Sequence, residues 1–346
     1  IARSALVMNE PWGQEKMQEM VVASLNNLLE QLQSASGVPA ERIYEAIVVG
    51  NTCMNHLFFG LNPVSLSHAP YWPVVQDSLF VRAGDPGYGL KLHPLAPVRW
   101  LPNIAGFVGS DALGVILATE LHKTDKTRLA IDVGTNGEIS AVHNGKLLTC
   151  STPAGPAFEG ARISCGMRGT IGAIERVWID DDVRIKVIGR VKAQGICGSG
   201  LIDAVAEMVK AGVVDITGRM ITREKAEQKL PPKLAKRVLD TPEGPAFELA
   251  RGVVLTQRDI RELQLAKGAI ASGVAILMKD LGITADDLDC VFMAGAFGNY
   301  VNPESAKRIG MVPNVPTERI IGVGNAAGAA AQMALLSLDK REEAMR

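Results

Sequence analysis

The chain has 346 residues, of which 47% are hydrophobic and 21% charged, with 36 Lys and Arg against 37 Asp and Glu. That length and apolar content suit two domains with sizeable cores, and a formal net charge of -1 gives no support to binding of nucleic acid or a membrane surface through bulk charge. The five cysteines form no C-x-x-C pair, which points to a reducing compartment rather than a disulfide framework. No apolar run approaches the ~18 residues of a membrane span and the first residues are not a signal peptide, so the expected location is the cytoplasm.

Residues 14–34 read as a helix, because Met17, Val21, Leu25, Leu28 and Leu32 recur at steps of three and four. Gly37-Val38-Pro39 ends it. A short buried strand at 46–49 stops at Gly50-Asn51. Residues 62–103 are rich in Pro and Gly and read as irregular or weakly stranded. A small helix follows over about 109–121. The centre reads as three antiparallel strands: 129–133, a tight turn from Gly134 to Gly137, 138–143, an Asn144-Gly145 hairpin signal, and 146–150. A helix at 199–211 groups Leu201, Val205 and Val209 on one face. Residues 213–256 are charged, contain Pro231, Pro232 and Pro242, and read as an insertion or small subdomain. A long amphipathic helix spans 257–281. A buried strand at 289–293, a helix near 303–309, a strand at 319–323 and an Ala-rich helix at 325–338 complete the chain.

A weak internal echo runs through this order. The stretch 47–63 and the stretch 291–303 are each a strand, a glycine, a turn and then Asn-Pro; 101–114 and 321–330 form a second matching pair. Agreement in order as well as type favours two duplicated halves. The second half opens with the three-stranded hairpin and the first opens directly with its helix, so the matching first hairpin and its phosphate loop are expected to be absent here.

The sharpest motif is Ile131-Asp132-Val133-Gly134-Thr135-Asn136-Gly137. Gly134 and Gly137 permit a tight turn whose N–H groups can cradle phosphate oxygens. Thr135 and Asn136 can donate to phosphate, and Asp132, at the strand end, can hold Mg²⁺ directly or through water. An ordinary hairpin turn is the competing reading. Gly198, Ser199 and Gly200 open a helix, an arrangement suited equally to anion binding and to a glycine-rich cap. Gly155 belongs to a glycine loop just after the hairpin. Gly295, Ala296, Phe297, Gly298 and Asn299 lie at a strand C-terminus, where open α/β sheets bind ligands. Lys267, on the helix before that strand, is a candidate nucleotide contact or a solvated lysine. Asp111 is a cleft residue or a helix N-terminal charge. Cys165 and Cys197 read as small buried residues rather than redox groups. There is no P-loop, no paired zinc-ligand pattern and no C-x₄-C-x₂-C run, so no iron–sulfur cluster is expected in this chain.

The hairpin phosphate loop, the two echoing halves and the strand-end Gly-Ala-Phe-Gly resemble the acetate kinase, sugar kinase, heat-shock ATPase and actin superfamily. That resemblance implies an α/β, ribonuclease H-like, actin-like ATPase fold, with the remainder of a first half over 1–125 and a second half over 126–346 that carries the insertion at about 213–256. Longer ordered strings are spread along the chain: Val49-Gly-Asn-Thr-Cys-Met-Asn-His56, Leu101-Pro-Asn-Ile-Ala-Gly-Phe-Val-Gly109, Ala154-Gly-Pro-Ala-Phe-Glu-Gly160, Ile163-Ser-Cys-Gly-Met-Arg168, Gly195-Ile-Cys-Gly-Ser-Gly-Leu-Ile-Asp203 and Leu263-Gln-Leu-Ala-Lys267. They are similar to the reductive activators of corrinoid enzymes. The resemblance implies ATP and Mg²⁺ as ligands, a [2Fe–2S] ferredoxin domain N-terminal to this region, a corrinoid protein as partner, and reduction of cob(II)alamin to cob(I)alamin as the outcome; homodimer formation is left open. Without half of the phosphate clamp, slow hydrolysis is expected. Two rivals stay open on the residues alone: a small-molecule kinase of the same superfamily, and a non-catalytic module that binds a partner and uses nucleotide structurally.

Overall fold

The computed structural model describes residues 2–295 and 298–346. They form two compact units. One holds the residues up to Lys123 together with Asn325–Arg346, the other Thr124–Gly324.

The first unit begins with helices α1 (Ala2–Asn9) and α2 (Gly13–Ser36), the latter closed by Gly37 in a left-handed cap whose N–H donates to the Gln33 carbonyl. Val22 of α2 is buried, with Val21, Leu25 and Leu29 packed around it against Phe58, Val98 and Trp100. Leu28 and Leu32 of the expected stripe instead face solvent, 60% and 55% exposed. Met17, Val21 and Leu25 of that stripe are buried or packed against the core, and the buried face extends to Val22 and Leu29 rather than to Leu28 and Leu32. Strand β1 (Ala46–Val48) leads into helix α3 (Thr52–Phe58), capped by the Asn51 side chain. The Pro- and Gly-rich stretch then yields two short strands, β2 (Leu79–Arg82) and β3 (Pro97–Trp100), in a sheet ordered β1-β3-β2. Helix α4 (Ser110–Ala118) follows. Asp111 lies in its first turn, where burial pushes its carboxyl above the ordinary range.

The second unit is built on β4 (Arg128–Val133), β5 (Gly137–His143) and β6 (Lys146–Thr152). Positive φ at Asn144 and Gly145 makes the β5–β6 connection the two-residue turn that matches strand twist. A layer from 153 to 256 comes next. It comprises β7 (Ala173–Ile179), β8 (Val183–Val187), β9 (Gly195–Ile196), α5 (Gly198–Lys210), α6 (Arg223–Lys229), α7 (Pro232–Ala235), and the meander of β10 (Val238–Thr241), β11 (Gly244–Ala250) and β12 (Val253–Thr256). Helix α8 (Gln257–Leu281) lies across β5 and β6. It comes so close that a Cβ on Gly273 would fall 2.6 Å from Ile139 Cδ1 and from Thr152 Cγ2. Strand β13 (Cys290–Ala294), helix α9 (Pro303–Arg308) and strand β14 (Ile320–Gly324) complete a five-stranded mixed sheet ordered β14-β13-β4-β5-β6. Its core of Leu129, Ile131, Ile139, Val291 and Met293 is fully buried.

Helices α10 (Ala326–Leu336) and α11 (Leu338–Met345) pack in the first unit, whereas the sequence reading kept them with the second half. Alanines on several sides let α10 approach α4 closely. A Cβ on Gly114 would meet Ala327 Cα at 3.0 Å and Ala330 Cβ at 3.3 Å. In α11, Arg341 pairs with Glu45 at 2.8 Å and Glu343 with Lys123 at 2.7 Å.

Gly114→Val should destabilise the first unit by about 1–3 kcal/mol through overpacking, read as a lower denaturant midpoint. A second expectation concerns acid. The Lys123 ammonium, helped by His122 and Lys340, holds the Glu343 carboxyl at about 2 instead of 4.5. A depressed carboxylate stabilises the fold above its unfolded value and loses that contribution as pH falls through its folded value. Stability of the first unit should therefore fall between about pH 4.5 and 2, and Glu343→Gln should remove that part of the acid dependence in pH-resolved denaturation.

Candidate functional site

The parallel pairing of β13 with β4 sets Ala294 opposite Asp132, and the antiparallel pairing with β5 sets Glu138 on its other side. Asp132 is half-buried at the C-terminal end of β4. The residue after β13 is Gly295, with φ 91°. A Cβ there would lie 2.5 Å from Asp132 Oδ1 and 2.7 Å from the Val133 carbonyl, so only glycine fits this approach. The Gly295 N–H donates to the Gly324 carbonyl at 2.9 Å. Gly298 lies over the end of β13, and the Asn299 amide lies against Gly322 and Gly324 of β14. Asp132, Gly295, Gly298 and Asn299 thus gather at the C-terminal edge of three neighbouring strands. Ala296 and Phe297 lie outside the described residues.

Gly134, Thr135 and Asn136 join β4 to β5, with Thr135 and Asn136 exposed at the tip and Gly137 buried beneath Ile270 of α8. The Gly155 N–H donates to the Thr135 carbonyl at 2.8 Å, which brings the glycine loop onto this turn. From the same loop Glu159 reaches the turn as well: the Thr135 hydroxyl donates to its carboxylate. Glu159 lies within the 154–160 motif, whose glycines alone read as site residues in the sequence. The available signal was a lone carboxylate inside a glycine loop that directly follows the phosphate hairpin.

Gly198, Ser199 and Gly200 are buried at the start of α5. Their partners are in β7 and beside it: the Ser199 hydroxyl donates to the Glu175 carbonyl at 3.2 Å, and a Cβ on Gly200 would collide with the Ile174 carbonyl. The segment around Cys165–Met167 bonds to the same region, with Met167 N–H donating to the Ile196 carbonyl at 2.9 Å. Cys197 is buried with its thiol against the Ile174 carbonyl, and the five cysteines form no disulfide among the described residues.

Lys267 borders a cleft of about 240 Å³ with Asp215, Gln264, Lys307, Arg308 and Gly310. The other two cations are engaged, Lys307 by Glu304 and Arg308 by Glu207. The half-buried Lys267 makes no ion pair or hydrogen bond among the described residues. Ile270 of α8 abuts Gly137, and Gly273 abuts Ile139 farther along β5. Lys267, one turn before Ile270, therefore lies past the strand end that carries Asp132. A second cleft of about 380 Å³ shares Gly218 and Gln264 with the first and adds Arg219 and Arg261.

The start of α8 is held by Asp259, which is fully buried. Its Oδ2 accepts from Thr256 N–H at 2.8 Å and Thr256 Oγ1 at 3.0 Å; its Oδ1 accepts from Ser164 N–H at 2.8 Å and Ser164 Oγ at 3.1 Å. Four donors satisfy the carboxylate and bolt α8 to the segment that follows the glycine loop.

Among the described residues no three His, Cys, Asp or Glu side chains converge as a metal cage. A strand-end carboxylate suits Mg²⁺, which is held through one or two carboxylates with substrate phosphates and water, and does not suit a closed zinc or calcium site. Among the described residues no helix is long and apolar enough to cross a membrane.

The mixed five-stranded sheet with helices on it and a glycine turn and carboxylate at the strand ends is that of an ASKHA-fold protein. Residues 126–346 match the family domain described as the C-terminal domain of RACo, the ASKHA domain, and residues 1–124 match the RACo middle region. The chain belongs to this RACo family. It is 35% identical over 339 residues to the corrinoid activation enzyme RamQ of Eubacterium limosum, covering 95% of this chain and 56% of RamQ. It is 30% identical over 362 residues to the [Co(II) methylated amine-specific corrinoid protein] reductase of Methanosarcina barkeri, covering 96% of this chain and 62% of that protein. A solved structure titled reductive activator for corrinoid, iron-sulfur protein superposes with a TM-score of 0.89 at 35% identity, over 99% of this chain and 55% of that one. The chain therefore spans little more than half the length of these relatives.

Asp259→Asn should cost about 2–4 kcal/mol, because an amide NH₂ must replace a carboxylate oxygen that accepts two donors. Urea denaturation of the variant against the parent checks this.

Proposed function

We propose that this chain binds and hydrolyses ATP as part of a reductive activator that restores cob(II)alamin to cob(I)alamin on a corrinoid protein. The observation that carries the nucleotide reading is the convergence of Asp132, the 134–137 turn, the Gly155 loop and Gly295 at the ends of β4 and β13. The corrinoid reading rests on the family and on the activities named for its relatives.

In this reading backbone N–H groups of 134–137 and of the loop at Gly155 hold the phosphates. Gly295, Gly298 and Asn299, with Ala296 and Phe297 between them, hold the adenosine, and Lys267 adds positive charge from the neighbouring cleft. Ser199 has committed its hydroxyl to Glu175, so Gly198, Ser199 and Gly200 serve by their backbone. Asp132 would hold Mg²⁺, which when bound neutralises phosphate charge. Positioning and charge stabilisation by these groups supply most of the acceleration in phosphoryl transfer. The electron for cobalt comes from a [2Fe–2S] ferredoxin domain of the kind the resemblance implies, and nucleotide turnover drives its delivery.

Asp132→Asn should abolish Mg²⁺-dependent ATP turnover, a loss of at least ~10²-fold in kcat, in a phosphate-release assay with and without a corrinoid protein. Unchanged turnover would remove Asp132 from the site. ATP-dependent phosphorylation of a sugar or short acid, without stimulation by corrinoid protein, would move the assignment to a small-molecule kinase.

A further inference from the structure

The Thr135–Glu159 pair has a consequence for chemistry at the turn. A threonine hydroxyl carries one hydrogen and two lone pairs. Here the hydrogen goes to the Glu159 carboxylate. Toward a ligand, Thr135 therefore presents lone pairs only. Lone pairs repel phosphate oxygens, so the phosphate-donor role read from the sequence does not suit this side chain. They suit a water molecule, whose O–H they can accept.

The pair is held from both sides. The Thr135 carbonyl takes the Gly155 N–H at 2.8 Å. Glu159 ends the short turn Pro156–Glu159, flanked by Gly155 at φ 78° and Gly160 at φ 82° and anchored by the buried Ala157 and Phe158. Both Thr135 and Glu159 are nevertheless exposed at their tips. The neighbouring carboxylate Glu138 accepts from Ser151 on β6 at 3.2 Å.

We infer that Thr135 and Glu159 form the proton-accepting pair for the water that attacks the γ-phosphate, an assignment that rests on the hydrolysis reading above. The water oxygen bonds to the γ-phosphorus as the bond to the β–γ bridging oxygen breaks, and that electron pair leaves with ADP. The water gives one proton to Thr135 Oγ1 while Thr135 passes its own to Glu159. The exposed carboxyl then returns it to solvent. The sum is ATP and water to ADP, phosphate and a proton. Thr135 touches the reacting water, and Glu159 acts through it as a positioning and proton-accepting residue.

The test measures kcat for ATP hydrolysis and, by calorimetry, ATP·Mg²⁺ affinity for the whole chain and for Glu159→Gln, Thr135→Val and Thr135→Ser. Loss of a general base costs ~10²–10⁴-fold in rate. Glu159→Gln and Thr135→Val should lose that much kcat with ATP affinity little changed. Thr135→Ser, which keeps the hydroxyl, should stay within about tenfold of the parent. A merely structural pair would lose affinity and rate together, or lose neither, and either result overturns the assignment. If the parent hydrolyses ATP and Glu159→Gln does so equally well, only this pair falls. If the parent neither binds nor hydrolyses ATP, the nucleotide reading falls and takes the pair with it.

Discussion

The site depends on one contact: the close approach of the Gly295 backbone to the Asp132 carboxylate where β13 and β4 end side by side. Parallel strands in register bring the turn after β4 and the loop after β13 to one edge, where ligands of open α/β sheets bind. Any side chain at 295 would occupy the space of the Asp132 oxygen. A carboxylate, a glycine turn and a strand-end loop therefore share a few ångströms because the sheet is parallel at that point. The antiparallel return into β5 contributes the turn at 134–137.

The second organising element is α8. Its face toward the sheet is glycine and isoleucine, Gly273 and Ile270, which sets its depth against β5 and β6. Its start is pinned by Asp259 to the segment after the glycine loop. The helix consequently fixes two things together, the loop that delivers Glu159 and the turn that carries Lys267. A buried carboxylate with four donors is costly to break, so the relative placement of these two parts is rigid within the second unit.

Much of this was legible in the sequence where a local pattern had one physical solution. Asn144-Gly145 forced the β5–β6 hairpin, a 25-residue amphipathic run gave α8 within its observed bounds, and the motif strings pointed to the family. Elsewhere local pattern had more than one solution. The leucines of α2 offered two adjacent apolar faces, and burial chose the one with Val22 and Leu29. Val183-Arg-Ile-Lys-Val187 alternates with period two, but five residues within a stretch dominated by glycine motifs are a weak local strand signal. The packing of α10 on α4 depends on Gly114 meeting Ala327, a tertiary fit with no local signature. The pairing of Glu159 with Thr135 joins residues 24 positions apart, which spacing alone does not disclose.

The measurement that bears most directly on the nucleotide site is amide hydrogen exchange on the chain with and without ATP·Mg²⁺. The account predicts slowed exchange at residues 134–137, at 154–160 and at Gly298 and Asn299, with little change on the outer strand β6. Unchanged exchange at those segments under saturating nucleotide, or protection confined to residues 2–123, would contradict a nucleotide site at the ends of β4 and β13.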